Sequence, residues 1–200
     1  MGASASEPVT VVVAEDEALI RMDLVEMLDE LGYQVVGEAA DGQAAVDQVR
    51  LLRPGLVFLD IAMPLRDGLS AAEEIAGEHL APIVMLTAFS QRDAVERAAA
   101  AGVMGYLVKP FAKSDLVPAI EVAISRWAQF LELQAEVADL QARLAARQAV
   151  EQAKTRLQAR LGISEPEAFR MLRRMAMDTR KTLAEAALDI LDQDPASGAW

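Results

Sequence analysis

Four apolar runs of the sequence each end in side chains that can bind a cation or a phosphate. Glu15 and Asp16 follow the first run, Asp60 follows another, Thr87 closes a third and Lys109 closes the last. Three carboxylates in one pocket repel each other unless a hard cation neutralises them. Oxygen ligands in this number suit octahedral Mg²⁺, and a lysine with a hydroxyl can hold a metal-bound phosphoryl group. The residue types therefore indicate phosphoryl chemistry at a magnesium site, if the fold brings the four run ends together.

The composition excludes most other catalytic chemistry. The chain of 200 residues has no cysteine, which excludes disulfides, thiolate zinc sites and cysteine nucleophiles. His79 is the single histidine, so sites built from several imidazoles are excluded as well. We expect His79 to be a surface residue in a loop. With 53% hydrophobic residues, the chain is long enough for one ordinary domain plus a smaller one.

Membrane insertion and secretion are not indicated. No apolar run approaches the roughly 18 residues that cross a bilayer, so we expect no membrane partner. The first six residues lack the basic and apolar regions of a secretory signal. We therefore expect the protein to be cytoplasmic.

The elements that must position the chemical side chains alternate along the first half of the chain. Short apolar and β-branched runs predict five strands, at residues 9–14, 33–39, 56–60, 83–87 and 106–109. Helical spacing predicts four helices between them, at residues 18–31, 42–52, 70–76 and 92–101. This alternation predicts an α/β fold with a doubly wound, five-stranded parallel sheet. The site of such a sheet lies beyond the carboxyl ends of its strands, which is where the chemical side chains occur.

After Pro110 the pattern is helical. Residues 115–160 contain neither glycine nor a strand pattern, which predicts one long helix. Its apolar positions step by threes and fours, as in a coiled coil: Leu116, Ile120, Ala123, Trp127, Phe130, Leu133, Val137, Leu140 and Leu144. Two interpretations remain open, a coiled coil with a second copy and a helix that folds back on its own domain.

A small bundle is predicted at the end of the chain. Gly162 ends the long helix, and Ser164 with Glu167 forms a capping box that begins the next helix. A further helix is expected at about residues 182–191. The predicted organisation is an α/β domain, a helical or coiled-coil linker and a three-helix bundle, at residues 8–128, 129–145 and 146–193.

The net charge of −12 is unevenly distributed. Residues 143–181 carry ten basic and four acidic side chains, a net charge of +6 within an otherwise acidic chain. This asymmetry suggests separate partners for the two parts. The alternative is that the basic stretch is only a solvated helical surface.

The first part resembles the receiver domain of two-component response regulators, a flavodoxin-like fold. The resemblance rests on four motifs, at residues 14–17, 59–68, 86–88 and 106–111. It implies that Asp60 accepts a phosphoryl group from a sensor histidine kinase. It also implies that the protein is a signalling phosphoacceptor rather than an enzyme acting on a separate substrate.

The same resemblance assigns roles to the other residues of the site. Glu15, Asp16, Asp60 and the carbonyl of Ala62 would bind Mg²⁺, and Lys109 would pair with a phosphoryl oxygen beside a cis bond to Pro110. The Thr87 hydroxyl would move to the phosphoryl group and the Tyr106 ring would rotate into the vacated space. This switch would reshape the face that contains Gln91. An alternative for Tyr106 is a plain half-buried aromatic residue of a strand.

The last part resembles ANTAR, an RNA-binding antitermination module that follows some receiver domains. The resemblance rests on residues 153–154, 157, 161–162, 164–165, 167–169, 172–173 and 175–177. It implies binding to RNA hairpins, which fits a homodimer formed on phosphorylation. One departure is Thr155, where the family usually has glycine that could permit close helix approach.

Basic side chains could follow an RNA backbone in this module. The candidates are Lys154, Arg156, Arg160, Arg170, Arg173, Arg174, Arg180 and Lys181. We expect Phe169, at a helical apolar position, to lie in the core rather than to stack on a base.

The sequence therefore predicts a phosphorylation-switched transcription antiterminator that binds RNA. The alternative is a receiver whose helical tail contacts a protein or DNA, although no helix-turn-helix with a clear recognition helix is evident. A magnesium phosphohydrolase is disfavoured, because a small doubly wound domain offers no further elements for a substrate pocket.

Overall fold

The computed structural model describes residues 8–88 and 102–192. These residues divide into two compact units between Leu131 and Glu132, and each unit is considered separately. The first contains a five-stranded parallel sheet of order β2-β1-β3-β4-β5. Its strands are β1 (Thr10–Ala14), β2 (Gln34–Ala39), β3 (Leu56–Asp60), β4 (Ile83–Ala88) and β5 (Gly105–Lys109). The strand order is the flavodoxin-like one, and the predicted doubly wound sheet is confirmed.

Six helices complete the described residues. They are α1 (Ala18–Glu30), α2 (Gly42–Leu52), α3 (Gly68–Gly77), α4 (Lys113–Leu161), α5 (Glu165–Thr179) and α6 (Leu183–Asp192). The helix predicted at 92–101 and the position of Gln91 lie outside the described residues. Within residues 8–88 and 102–192, none of the helices combines the length and apolar character needed to span a membrane.

Two apolar layers enclose the sheet. Every residue of β3 is buried, as expected for a central parallel strand covered on both faces. Leu59 belongs to the layer packed against α2 and α3. Phe58 belongs to the opposite layer, with α1 and with Leu116 and Ile120 from the first turns of α4. The alternation of neighbouring side chains between the layers leaves only the strand ends for polar residues.

The strand register sets the carboxyl edge of the sheet. Ala14 of β1 lies beside Leu59 of β3, so Glu15 and Asp60 leave adjacent strands at the same level. Lys109 of β5 lies beside Ala88 of β4, directly after Thr87. The residues that end the four apolar runs therefore meet at one edge of the sheet.

Gly68 permits α3 to begin against the end of β3. Its amide donates to the Ile61 carbonyl at 3.0 Å, and a Cβ atom at this position would lie 1.8 Å from the Asp60 carbonyl oxygen. Asp67 caps the same helix, since its side chain accepts from the Ser70 amide at 2.8 Å. This turn holds the backbone around Asp60.

The second unit is a bundle of the end of α4 with α5 and α6. Its core contains Ala153, Leu157, Leu172 and Ala187, all buried. The capping box at the start of α5 is present as predicted. Thr155 is exposed and its hydroxyl donates to the Glu151 carbonyl at 3.0 Å, so its side chain does not obstruct the helix packing.

The middle of α4 contrasts with both of its ends. Leu116, Ile120 and Ala123 pack on the sheet, and Ala153 and Leu157 pack in the bundle. Every residue from 131 to 145 is exposed. The apolar positions of the predicted seam are thus covered at its start, whereas those from Leu133 onward face solvent.

We expect Gly68→Ala to lower the free energy of unfolding of the first unit by about 1–3 kcal/mol, because the methyl group has no space beside the β3 backbone. Gly77→Ala is the matched control, because no atom lies within 4 Å of its added Cβ. The control should leave stability unchanged or raise it by up to about 1 kcal/mol. Urea unfolding followed by circular dichroism measures both. Equal stability of the two variants would contradict the tight approach at Gly68.

Candidate functional site

Three carboxylates gather at the carboxyl edge of the sheet. One oxygen from each of Glu15, Asp16 and Asp60 lies within 4.8 Å of the others. Glu15 and Asp60 are buried, whereas Asp16 is exposed. The loop after β1 therefore supplies one buried and one accessible carboxylate to the end of β3.

Lys109 bridges the two buried carboxylates. Its Nζ lies 2.5 Å from Glu15 Oε2 and 2.8 Å from Asp60 Oδ1. The Lys109–Pro110 peptide bond is cis, as the sequence predicts. The end of β5 thus contributes an ammonium group directly beside the candidate phosphoacceptor.

Burial and neighbouring charges shift the pKa values of Glu15 and Lys109. Burial raises the pKa of Glu15, and nearby Asp60 raises it further, although Lys109 partly opposes both effects. Burial alone would lower the pKa of Lys109, but hydrogen bonds to Asp60 and Glu15 outweigh it and raise the pKa. The side chain of Lys109 is therefore protonated at neutral pH.

The donor set fits Mg²⁺. One ammonium group does not neutralise three carboxylates, and clustered hard oxygen atoms are the ligands that this ion prefers. The Ala62 amide donates to Asp60 Oδ2 at 3.1 Å, so the backbone of Ala62 lies beside the cluster. Glu15, Asp16 and Asp60 could hold the ion, and the Ala62 carbonyl remains a predicted further ligand.

Thr87 and Tyr106 occupy neighbouring strands near this cluster. Thr87 is buried, and its hydroxyl donates to the Ala88 carbonyl at 3.2 Å. Tyr106 lies beside Met85 in the register and is 58% exposed. The aromatic side chain is therefore not half-buried in the core, and its role in a switch stays a prediction.

The basic residues predicted to bind RNA fall into two groups. Lys154 is buried, with Nζ 2.7 Å from Glu165 Oε1 and 2.9 Å from Glu151 Oε2. Arg156 is half-buried and donates to the Leu191 carbonyl at 2.7 Å. These contacts tie α4 to α5 and α6.

The second group faces solvent. Arg170, Arg173 and Arg174 are exposed on α5, and Arg180 is exposed at its end. Arg160 and Lys181 are also exposed, and Lys181 pairs with Asp189 at 2.6 Å.

Phe169 is on the exposed surface of α5. The expectation that it lies in the core is wrong, because 41% of the residue is accessible. The helix buries a narrow stripe of Ala168, Leu172 and Ala176, and Phe169 lies one residue outside it.

Comparison with known families identifies both units. The response regulator receiver domain matches residues 11–121, more than half of the chain, and the ANTAR domain matches residues 138–191. The chain belongs to the response regulators. It is a signalling protein that combines a receiver domain with an ANTAR domain.

Relatives of this response regulator match either nearly the whole chain or its first unit. The transcriptional regulatory protein PdtaR of Mycobacterium tuberculosis is 56% identical over 190 residues, which cover 95% of this chain and 93% of that protein. The chemotaxis protein CheY of Thermotoga maritima is 37% identical over 111 residues, 55% of this chain and 92% of CheY. The solved receiver domain of NarL from Mycobacterium tuberculosis has a TM-score of 0.57 and 30% identity, with 60% of this chain and 98% of that chain covered.

Sequence reasoning missed one residue that shapes the receiver site. Arg21 Nη1 donates to the Glu15 carbonyl at 2.5 Å, and its Nε lies 3.2 Å from Glu38 Oε2. The arginine thus fixes the loop that carries Glu15 and Asp16. Its sequence position gave no signal of this role, because Glu38 belongs to β2, 17 residues further along the chain.

We expect the Lys154–Glu165 contact to stabilise the ANTAR domain in a pH-dependent manner. A hydrogen bond from Lys154 holds the pKa of Glu165 below its ordinary value of 4.5. Its contribution is therefore complete above pH 4.5 and is lost as the pH falls through the lowered value. Glu165→Gln should reduce thermal stability near pH 7 and have little effect at the acid end of a pH series. The matched control is the same substitution in a Lys154→Met background, where the difference should vanish; a difference that persists there would contradict the pairing.

Proposed function

We propose that this response regulator accepts a phosphoryl group on Asp60 from a sensor histidine kinase and then antiterminates transcription by binding RNA hairpins. The observation that carries the first step is the buried Asp60 carboxylate, with the Lys109 ammonium group 2.8 Å away and two further carboxylates clustered beside it. The proposed RNA target implies that the protein acts in the cytoplasm.

Phosphoryl transfer needs positioning and charge neutralisation rather than extra covalent machinery. An Asp60 oxygen attacks phosphorus as the P–N bond of a phosphohistidine protonated on its other ring nitrogen breaks, which leaves an acyl phosphate on Asp60 and a neutral imidazole on the kinase. Lys109 holds a phosphoryl oxygen from its place beside Oδ1. Mg²⁺ held by Glu15, Asp16, Asp60 and the Ala62 carbonyl would supply the remaining charge neutralisation.

The proposed switch uses Thr87 and Tyr106. The Thr87 hydroxyl exchanges its bond to the Ala88 carbonyl for a bond to the new phosphoryl oxygen. The exposed Tyr106 ring, on the neighbouring strand, then turns into the space that Thr87 leaves. A local charge change thereby alters the surface of the receiver.

The proposed RNA surface is the exposed side of α5. Phe169, Arg173 and Met177 follow one another at intervals of four residues, so they share one helix face, with Arg170 and Arg174 beside it. An exposed aromatic ring can stack on an unpaired loop base, and arginines bind the flanking phosphates.

Lys154 has a different role in this proposal. Its buried ammonium group joins α4 to the start of α5 through Glu165 and also contacts Glu151 of α4. A homodimer formed on phosphorylation would present two such surfaces to RNA.

An acyl phosphate with Mg²⁺ should add one phosphoryl group to the protein, as read by intact mass spectrometry. Asp60→Asn should abolish the addition, and a chelator should suppress it. Asp47→Asn, a change of an exposed aspartate on α2, is the matched control and should label normally. Equal labelling of the Asp60→Asn protein would overturn the assignment of the phosphoacceptor.

The phosphorylated protein should select sequences from a hairpin RNA pool with randomised loops and bind them more tightly than unstructured RNA of equal length. No preference at moderate salt would refute RNA antitermination. Tighter binding to duplex DNA would favour the alternative of a DNA-binding tail.

Two substitutions separate stacking from phosphate contact on the selected hairpin. Phe169→Ala should weaken binding by about 1–3 kcal/mol through lost stacking. Arg173→Ala should weaken it and reduce the slope of log affinity against log salt by about 0.7–0.9. Leu188→Ala removes a similarly exposed apolar side chain from α6 and serves as the control in filter binding. If all three variants bind alike, the α5 surface is not the RNA site.

A further inference from the structure

An apolar stripe runs along the exposed middle of α4. It consists of Leu133, Val137, Leu140 and Leu144, at spacings of four, three and four residues. Between 47% and 62% of each residue is accessible to solvent. This spacing is that of the a and d positions of a coiled coil, so the stripe faces one side of the helix. A continuous apolar stripe of this kind is typical of an interface with another helix.

We infer that the stripe pairs with the same stripe of a second copy, with the two helices antiparallel. The charges beside the stripe carry this inference. Glu136 and Arg143 lie on the same side of it, immediately before Val137 and Leu144. In an antiparallel pair of identical helices, residues in such equivalent flanking positions face each other across the seam. Glu136 of each copy then meets Arg143 of the other, whose guanidinium group also contacts Asp139 of its own helix at 2.8 Å, so two reciprocal ion pairs form across the seam.

The antiparallel register also places the apolar residues of the two stripes opposite each other. Leu133 of one copy faces Leu144 of the other, and Val137 faces Leu140. All four members of the stripe are covered in both copies. The segment that pairs is the one in which every residue is exposed, so pairing requires no rearrangement of either unit's core.

A parallel pair of helices would lack the ion pairs between Glu136 and Arg143. Glu136 would then face Gln141 and Arg143 would face Gln148, so neither charge would meet an opposite one. Arg147, at the next seam position, would lie against Arg147 of the other copy and repel it. The distribution of charge therefore favours the antiparallel pair.

This inference rests on the proposed dimer and adds the relative direction of its two paired helices. Antiparallel helices place the two C-terminal ends of α4 at opposite ends of the paired segment. Each of the two ANTAR domains would then follow a different end of the paired segment.

Cross-linking tests the direction, because the chain contains no cysteine of its own. Leu133→Cys and Leu144→Cys proteins with different tags are mixed, treated with acyl phosphate and Mg²⁺, and oxidised. The expected product is the mixed disulfide between positions 133 and 144. Leu144→Cys alone should cross-link poorly, because its two positions lie about 16 Å apart along antiparallel helices.

The other results of this experiment are equally decisive. Efficient self-linkage at position 144 would establish a parallel pair and overturn the inference. A dimer in sedimentation that forms no disulfide would place the interface elsewhere. Monomers under all conditions would overturn the proposed dimer itself, whereas Asp60 labelling and RNA binding are read independently.

A charge exchange provides a second test without touching the apolar stripe. Glu136→Arg and Arg143→Glu should each weaken self-association of the phosphorylated protein by about tenfold, because each creates two like-charge contacts. Mixing the two variants should restore association as a heterodimer, since every flanking pair is then opposite in charge. Ala138→Arg adds a positive charge outside the seam, with no acidic residue three or four positions away, and should leave association unchanged. Sedimentation equilibrium measures all four samples, and unaltered association of the single variants would overturn the antiparallel pairing.

Discussion

The receiver site depends on the ion pairs that Lys109 makes with two buried carboxylates. Glu15 and Asp60 lie in an apolar environment that disfavours their charged forms, and Lys109 contacts both. These residues come from β1, β3 and β5, which only the parallel order of the sheet brings to a common edge. The register of the strands is therefore a requirement of the chemistry as well as of the core. A shift of one residue in β3 would turn Asp60 to the opposite face of the sheet and leave an apolar residue in its place.

Backbone contacts around the carboxylates limit what the chain can accept there. Gly68 lies against the Asp60 carbonyl, and Arg21 holds the Glu15 carbonyl from the first turn of α1. Neither residue contributes a ligand atom, yet each constrains the backbone from which a carboxylate leaves its strand. Under the proposed function such support matters, because a phosphoryl group and a cation would both have to fit between groups that are less than 5 Å apart.

The receiver was more predictable from sequence than the ANTAR domain, and the reason is physical. A buried parallel strand leaves few places for a polar side chain, so Asp60, Thr87 and Lys109 mark their strand ends without ambiguity. A small helical bundle imposes no such restriction. On α5, buried Ala168 and exposed Phe169 are adjacent in sequence. The buried stripe of this helix is so narrow that the spacing of apolar residues alone does not show which of the two faces the core. Lys154 could not be recognised as buried either, because its partner Glu165 belongs to another helix.

The contacts of each basic side chain have to be known before the net charge of a segment indicates a binding partner. The basic excess of residues 143–181 includes Lys154, which two carboxylates already surround, and Arg156, which holds a backbone carbonyl. These groups stabilise the bundle and have little capacity left for phosphate, because binding it would break the contacts that they already make within the bundle. The arginines on the outer side of α5 have no such cost, and Phe169 lies among them. Under the proposed function, RNA binding would therefore depend on one exposed face of α5 rather than on the total charge, whereas Lys154 and Arg156 join the helices of the bundle.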